Sequence, residues 1–527
     1  MSRFADRMAR SLQQAGYWMA ANRLWLAYLA ALSLLAFGFH LFGFSLSIDD
    51  ENHAQLYGPR LNWVTQGRWG MYVLNALLLP APVMPLLPTL IALSGTAAAC
   101  TLFLRAMGDL DASAYAAAVL FVMSPVLFYS YTFASLGYGI GIGMLLAICG
   151  VLMVIRAKTA GDALWGVLPM MFAMAIYQAF ALVIAAAFGL YLMRIFLSTS
   201  PDAIKRDGYA LSFRAGVSFA VAVGLFFLSQ QISYAVLGRE SDGYVDGYIK
   251  LEWTAAYLSQ ASMRIAQDMM RYFLGSGDIY VSNVPALLVL FVLSMAVLVN
   301  RIMRRHHPMS LKLQAMGLLV AVVVVPFCFH GLNAGDMPPR AMLAIPVVLA
   351  GIVVLAMRQA GTVVRGCLWV LIVMCGWQFA VANNRLAMSN YMGWLSDREL
   401  TTRILDRVAE AMDASGAGDH DSIRLELVGK LDRQPSPIFV QRSTVGVSFY
   451  DWGEGDVRRL SNLIKTMGYR NYKPALPAQR AAVVAVAQKM PVWPRAGSVQ
   501  WANGVVVIKL SEYTPQQLEN INKGYTP

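Results

Sequence analysis

Long apolar stretches recur along this chain from Trp25 to about Ala382, and no single soluble core can hide them all. Such stretches belong in lipid, where each must close its own backbone hydrogen bonds. The fold class is therefore a polytopic α-helical membrane protein. Composition agrees: 14% of the 527 residues are charged, against about 25% in a typical soluble protein. The first stretch, Trp25 to about Phe44, follows Arg3, Arg7, Arg10 and Arg23 and lacks a small-residue cleavage pattern. It reads as a retained signal-anchor.

Eleven crossings can be drawn, near residues 25–44, 84–104, 114–130, 138–155, 163–176, 179–197, 215–237, 284–302, 313–331, 341–357 and 366–382. The stretch from Asp162 to Leu197 counts as two. As one helix it would extend about 54 Å against a hydrocarbon core of about 30 Å. Basic residues flank it on both sides (Arg156 and Lys158; Arg194, Lys205, Arg206), so both flanks face the same compartment. The polar pair Tyr177-Gln178 marks the turn.

With the N-terminus inside, Lys and Arg concentrate in the inner loops, and an odd number of crossings places the C-terminal region outside. The basic run Arg301, Arg304, Arg305, His306, His307 suits an inner loop beside anionic headgroups. Adjacent histidines diverge, so solvated charge explains His306 and His307 better than a metal does. Topology thus accounts for much of the net charge of +12, and no nucleic-acid partner is expected. All five cysteines lie inside apolar stretches without metal-ligand spacing, as small core residues do.

Three outer segments exceed what a connection needs. Ser45 to about Pro82 holds the acids Asp49-Asp50-Glu51 and then an apolar run, Trp69 to Leu79, too short to span and read as an interfacial helix. In Gly238 to Asn283, Leu258, Ala261, Ile265, Met269 and Tyr272 recur at helical spacing, predicting a second interfacial helix. The third segment, Leu332 to Arg340, is short. Residues 1–383 are expected to form the transmembrane unit and 384–527 a small outer α/β domain. That domain should hold helices near 397–413, 455–467 and 477–489, a strand at Ile423–Val428, and a hairpin turning at Asn503-Gly504.

Asp49, Asp50 and Glu51 follow the first crossing directly. Three successive carboxylates near lipid repel one another, which raises at least one pKa toward neutrality and suits it to general-base work. The plain alternative is a solvated outer loop. Gln66, Arg68 and Trp69 follow within twenty residues: an amide, a planar cation suited to phosphate, and a ring suited to sugar stacking. Trp69 equally suits an interface anchor, and Arg340, at an outer helix start, suits either a substrate phosphate or an ordinary headgroup.

Ser47-Ile48-Asp49-Asp50-Glu51 followed by Trp63-Val64-Thr65-Gln66-Gly67-Arg68-Trp69-Gly70 resembles the signature of the type II serotype-converting O-antigen glucosyltransferases, bacterial inner-membrane enzymes of the GT-C class. Looser similarity covers the helix-rich body, the Tyr177-Gln178 turn, Pro339-Arg340 before a helix, and Ser448-Phe449-Tyr450-Asp451-Trp452-Gly453 in the outer domain.

The resemblance implies a sugar, typically glucose, carried on a polyprenyl phosphate at the periplasmic face. The acceptor is a lipid-linked or polymeric glycan such as O-antigen, and membrane lipids surround the site. An acid matching Asp49 or Asp50 deprotonates the acceptor hydroxyl, with Glu51 a third acid at the same place. Arg68 and Arg340 answer the leaving phosphate. Gln66, Trp69, Tyr177 and Gln178 complete the implied substrate-binding set. Inversion at the anomeric carbon follows from opposite-face attack. No cofactor is implied, although some GT-C enzymes hold a divalent ion with such acids. Transfer of another polyprenyl-phosphate sugar fits the same residues. A lipid-linked glycan flippase is the rival of a different class, but it would bury ionisable groups mid-membrane, whereas the charges here sit at helix ends.

Overall fold

Apolar runs in lipid have one economical solution, the hydrogen-bonded helix, and helices dominate the chain. The computed structural model describes residues 17–55, 58, 60–81, 83–243, 254–274, 285–333, 337–416, 422–431, 443–469 and 471–525. Each expected crossing coincides with a helix or a bent pair. These are α1 (Arg23–Phe42), then, beyond three short helices of the first loop, α5 (Leu87–Met107), α6 (Ala112–Val122) with α7 (Pro125–Tyr131), α8 (Gly137–Arg156), α9 (Ala160–Ile176), α10 (Phe180–Ser198) and α11 (Pro201–Leu237). The set continues, after α12 (Ala255–Leu274), with α13 (Pro285–Arg304), α14 (Met309–Phe327), α15 (Ile345–Gln359) and α16 (Thr362–Ser415).

Among the described residues, eight helices are long and apolar enough to cross a membrane, and the α6–α7 pair, bent by 45°, makes a ninth if taken as one. The bend falls at Ser124-Pro125, where proline supplies no N–H. Helices α9 and α15 are shorter, and α15 is buried from Ile345 to Met357, which makes it a central pillar of the bundle. Small residues bring helices together: a Cβ on Gly95 of α5 would sit 2.6 Å from the backbone of Gly141 in α8. At the ends that the charge pattern assigns to the inner side, arginines cap open helix carbonyls. Arg194 donates to Ala106 O, Arg214 to Ala157 O, and Arg305 to Leu197 O.

Two features differ from the sequence reading. Helix α16 runs unbroken through the expected boundary at Asn383 for 54 residues, about 81 Å. Beyond residue 382 the chain loses apolarity without acquiring a proline, and Gly393 alone does not stop a helix. In α12, the buried face is Tyr257, Ala261, Asp268 and Tyr272, while Leu258 is exposed. Asp268 turns inward because its carboxylate pairs with His330 Nε2 at 2.6 Å. The flanks of that second outer segment, 244–253 and 275–283, lie outside the described residues, as do 334–336 of the third.

The C-terminal region forms a four-stranded sheet, order β2-β1-β4-β3, from β1 (Ile423–Val428), β2 (Tyr472–Pro474), β3 (Val499–Ala502) and β4 (Val505–Lys509). The β3–β4 hairpin turns at Asn503-Gly504, both with positive φ (51° and 75°), as this dipeptide allows. Helices α17 (Val457–Thr466), α18 (Pro477–Lys489) and α19 (Pro515–Asn522) complete it. Its core also holds Leu46 and Ile48 of the first loop and Ile404 and Val408 of α16. Asp397 of α16 accepts from Ser448 Oγ and Phe449 N, each at 2.7 Å, which pins the Ser448–Gly453 segment to the long helix.

Candidate active site

The first loop leaves α1 at Gly43 and reaches α2 (Asp50–His53) through Asp49, whose φ of +81° is left-handed, a conformation few residues other than glycine adopt. That turn separates the three acids. Asp50 is fully buried and accepts from Ser47 N at 3.1 Å, Ala134 N at 3.3 Å and Ser135 Oγ at 3.5 Å. Glu51 is also fully buried, with Oε1 2.6 Å from Arg459 Nη1. Asp49 keeps half its side chain exposed, and its Oδ1 accepts from Arg459 Nη2 at 2.8 Å.

Burial pushes Asp50 up to about 8. Hydrogen bonds from Ser47 and Ala134 oppose the shift, and the charges of Glu51 and Asp49 add to it. Burial also lifts Glu51 to about 7 against the pull of Arg459. His53 goes the other way, down to about 3, through burial and the nearby Arg60, so its ring stays neutral. The expectation of a near-neutral carboxyl is met by Asp50 and Glu51, both sealed beneath the surface.

A polar cavity of about 670 Å³ opens above these acids. Of the three, Asp49 alone lines it, together with His53, Arg60, Trp63, Gln66, Arg68 and Arg340 from the membrane region. The opposite wall is α17 of the C-terminal domain, through Arg458, Arg459, Asn462 and Lys465. Helix α17 is docked on α2 by the Arg459 bridge and by Asn462 Nδ2, which donates to Asn52 Oδ1 at 2.6 Å. A second cavity of about 430 Å³ is mainly apolar, with Met174, Phe226, Phe227 and Phe329 in its walls. Arg68 and Arg340 border both cavities.

The loop carrying Arg68 is held from below. Gln178 Nε2 donates to Gln66 O at 3.0 Å and to Gly67 O at 3.3 Å. Gly67 has φ +69°, and a Cβ there would come within 2.8 Å of Gln230 Nε2. Next comes α4 (Trp69–Leu77), the expected short apolar helix, where a Cβ on Gly70 would strike the Ala175 backbone at 2.7 Å. Arg68 Nη1 donates to Gln66 Oε1 at 3.2 Å, and its guanidinium stacks on Tyr177, 4.9 Å from the ring centroid. Arg340 lies over Phe133 at 5.5 Å.

Most residues singled out in the sequence therefore converge. Asp49, Gln66, Arg68 and Arg340 face the polar cavity, while Tyr177 and Gln178 wall the apolar one. Trp69 lines neither; its ring stands edge-on to Phe172 at 5.4 Å. Trp63 takes the cavity wall instead. Arg459 and Asn462 carry no local sequence signal, because their partners lie some 400 residues away. Among the described residues, no three His, Cys, Asp or Glu side chains form a metal-binding group.

A helical membrane bundle with a polar, acid-floored cavity beside an apolar one suits chemistry between a lipid-borne group and a polar partner, and the class is a membrane glycosyltransferase. The chain belongs to the family described as Glucosyl transferase GtrII, which matches residues 38–357, the serotype-converting O-antigen glucosyltransferases that the first-loop motif resembles. No curated protein and no solved structure matches the chain. The family match covers the first loop, both arginines and the apolar cavity, and stops short of α17.

Proposed function

We propose that the protein transfers glucose from a polyprenyl phosphate to a lipid-linked or polymeric glycan such as O-antigen, at the periplasmic face of the bacterial inner membrane, by the inverting chemistry of the GT-C class. In this reading, residues 1–383 supply the transmembrane catalytic unit and residues 384–527 a periplasmic domain that closes the site. The apolar cavity receives the first isoprenyl units of the donor, and the polar cavity receives both sugars. One observation carries the reading: the two cavities meet at Arg68 and Arg340, with Asp49 facing the polar side.

Asp49 then takes the proton of the acceptor hydroxyl as its oxygen attacks the anomeric carbon. The bond from that carbon to the phosphate oxygen breaks, and the departing polyprenyl phosphate gains the charge that Arg68 and Arg340 answer. Arg459 positions Asp49 and does not touch the substrate. Asp50 and Glu51, buried and near neutrality, support the loop and leave the proton transfer to Asp49.

The test separates the acids. Asp49→Asn is expected to cut transfer by roughly 100- to 10,000-fold, read by mass analysis of lipopolysaccharide from cells carrying each variant. Asp50→Asn keeps measurable transfer. Wild-type hexose addition by Asp49→Asn would overturn the base assignment.

A further inference from the structure

The polar cavity carries more positive charge than one donor phosphate needs. Arg68 and Arg340 stand at its junction with the apolar cavity, where the donor phosphate is placed. Arg459 is matched by Asp49 and Glu51, and Arg458 by Asp456 at 3.1 Å. Two lining cations remain, Arg60 and Lys465, and neither has a carboxylate within ion-pair distance among the described residues.

These two come from different parts of the chain. Arg60 is the residue that precedes α3 (Leu61–Thr65) in the first loop; it is 9% exposed, and its Nη2 is buried with no hydrogen-bond partner among the described residues. Lys465 stands on the α17 wall, and its Nζ donates to Asn462 Oδ1 at 3.3 Å. The charges of Glu51 and Asp50 act on the Arg60 guanidinium from beyond ion-pair distance, but they leave the buried Nη2 without a hydrogen bond, a costly state that an anion entering the cavity relieves. Both side chains are donors only, so the group that fits between them is an acceptor, and an oxyanion suits the planar fork of Arg60 best.

We propose that Arg60 and Lys465 form a second anion position in the polar cavity, which takes a carboxylate or phosphate borne by the acceptor glycan. This rests on the reading of that cavity as the meeting place of donor and acceptor, and it deepens it: the acceptor is an anionic glycan, not a neutral one. The oxyanion has two possible sources, the carboxylate of an acidic sugar or the phosphates that link a glycan to its lipid carrier. The position also joins the two halves of the site, since Arg60 lies within the family match and Lys465 beyond it.

The experiment uses the full-length protein in nanodiscs, saturated with polyprenyl phosphate so that Arg68 and Arg340 are occupied. Glucuronate, inorganic pyrophosphate and neutral glucose are titrated in separately by calorimetry. Glucuronate or pyrophosphate is expected to bind, and the one that binds identifies the source. Arg60→Gln and Lys465→Gln are each expected to weaken that anion at least tenfold while leaving glucose unaffected. Lys465 is half-buried at the cavity wall, so its variant keeps the test available if Arg60→Gln folds poorly. Absence of anion binding to the lipid-saturated wild type, or unchanged anion affinity in the folded variants, overturns the proposal. The readout is binding, and Asp49→Asn is expected to retain it, so failure of the transfer reading and failure of the anion position are distinguishable.

Discussion

Arg459 Nη1 lies 2.6 Å from Glu51 Oε1, joining the C-terminal domain to the first loop across 408 positions of sequence. Glu51 is fully buried, so this guanidinium is what makes a charged form there tolerable. Arg459→Ala is expected to destabilise the protein by about 3–5 kcal/mol through the stranded acid, and to abolish transfer because Asp49 loses the guanidinium that holds it. Denaturant unfolding in detergent checks the first effect. Wild-type stability in that variant would mean the bridge is ornamental.

The buried acids also set a pH response. In the unfolded chain both ionise near pH 4, whereas burial holds native Asp50 near 8 and Glu51 near 7. The native state therefore binds the extra protons between those limits. The stability these acids contribute is full below about pH 4 and is lost as pH rises through 7 to 8. Asp50→Asn removes one of the two titrations. Its unfolding temperature should fall less than that of the wild type between about pH 5 and about pH 9; parallel falls in the two proteins would contradict the assignment.

Arg68 Nη1 donates to Gln66 Oε1, its guanidinium stacks on the face of Tyr177, and the side chain borders both cavities. Arg68→Gln is expected to raise the KM for the polyprenyl-phosphate donor by roughly tenfold or more, on the scale of a lost charge-assisted hydrogen bond. Kinetics with varied donor at fixed acceptor read this directly. Unchanged donor kinetics remove Arg68 from the phosphate position.

The orientation is open to a simple reporter. A periplasm-active enzyme fused after Pro527 should be active, and a cytoplasm-active one silent. Asn383 is a poor fusion point, because it is buried inside α16 with its amide donating to Met123 O at 2.8 Å. The reverse reporter pattern would invert the proposed topology.

What the sequence revealed, and what it hid, follows from the range of the forces involved. Helix positions are legible because apolarity is a local property, and the hairpin is legible because Asn503-Gly504 is chemically suited to its turn. Helix α19 went unread: at eight residues it is too short for a periodic apolar pattern, and the Thr514-to-Gln517 capping box was its one local signal. The first-loop acids were visible as a cluster. Their division of labour was not, since it depends on one left-handed φ at Asp49 that sends one carboxylate outward and two inward.

Trp69 and Trp63 exchange roles for a related reason. Gly70 docks against Ala175, and that contact fixes the azimuth of α4 so that Trp69 faces Phe172. Nothing within the motif encodes this direction. Arg60 and Lys465 were equally invisible, because an unmatched charge is recognised only once every possible partner has been located.

The ion pair between Arg459 and the first loop has a consequence in time. A ribosome adding about 5–20 residues per second makes Arg459 roughly 20–80 s after Glu51, so the young chain exposes its acids long before their counter-charge exists. Leu46 and Ile48 wait equally long for the outer core that receives them. The first loop is therefore among the first parts of this protein to be synthesised and among the last to be finished, and a chain released early lacks one wall of the polar cavity.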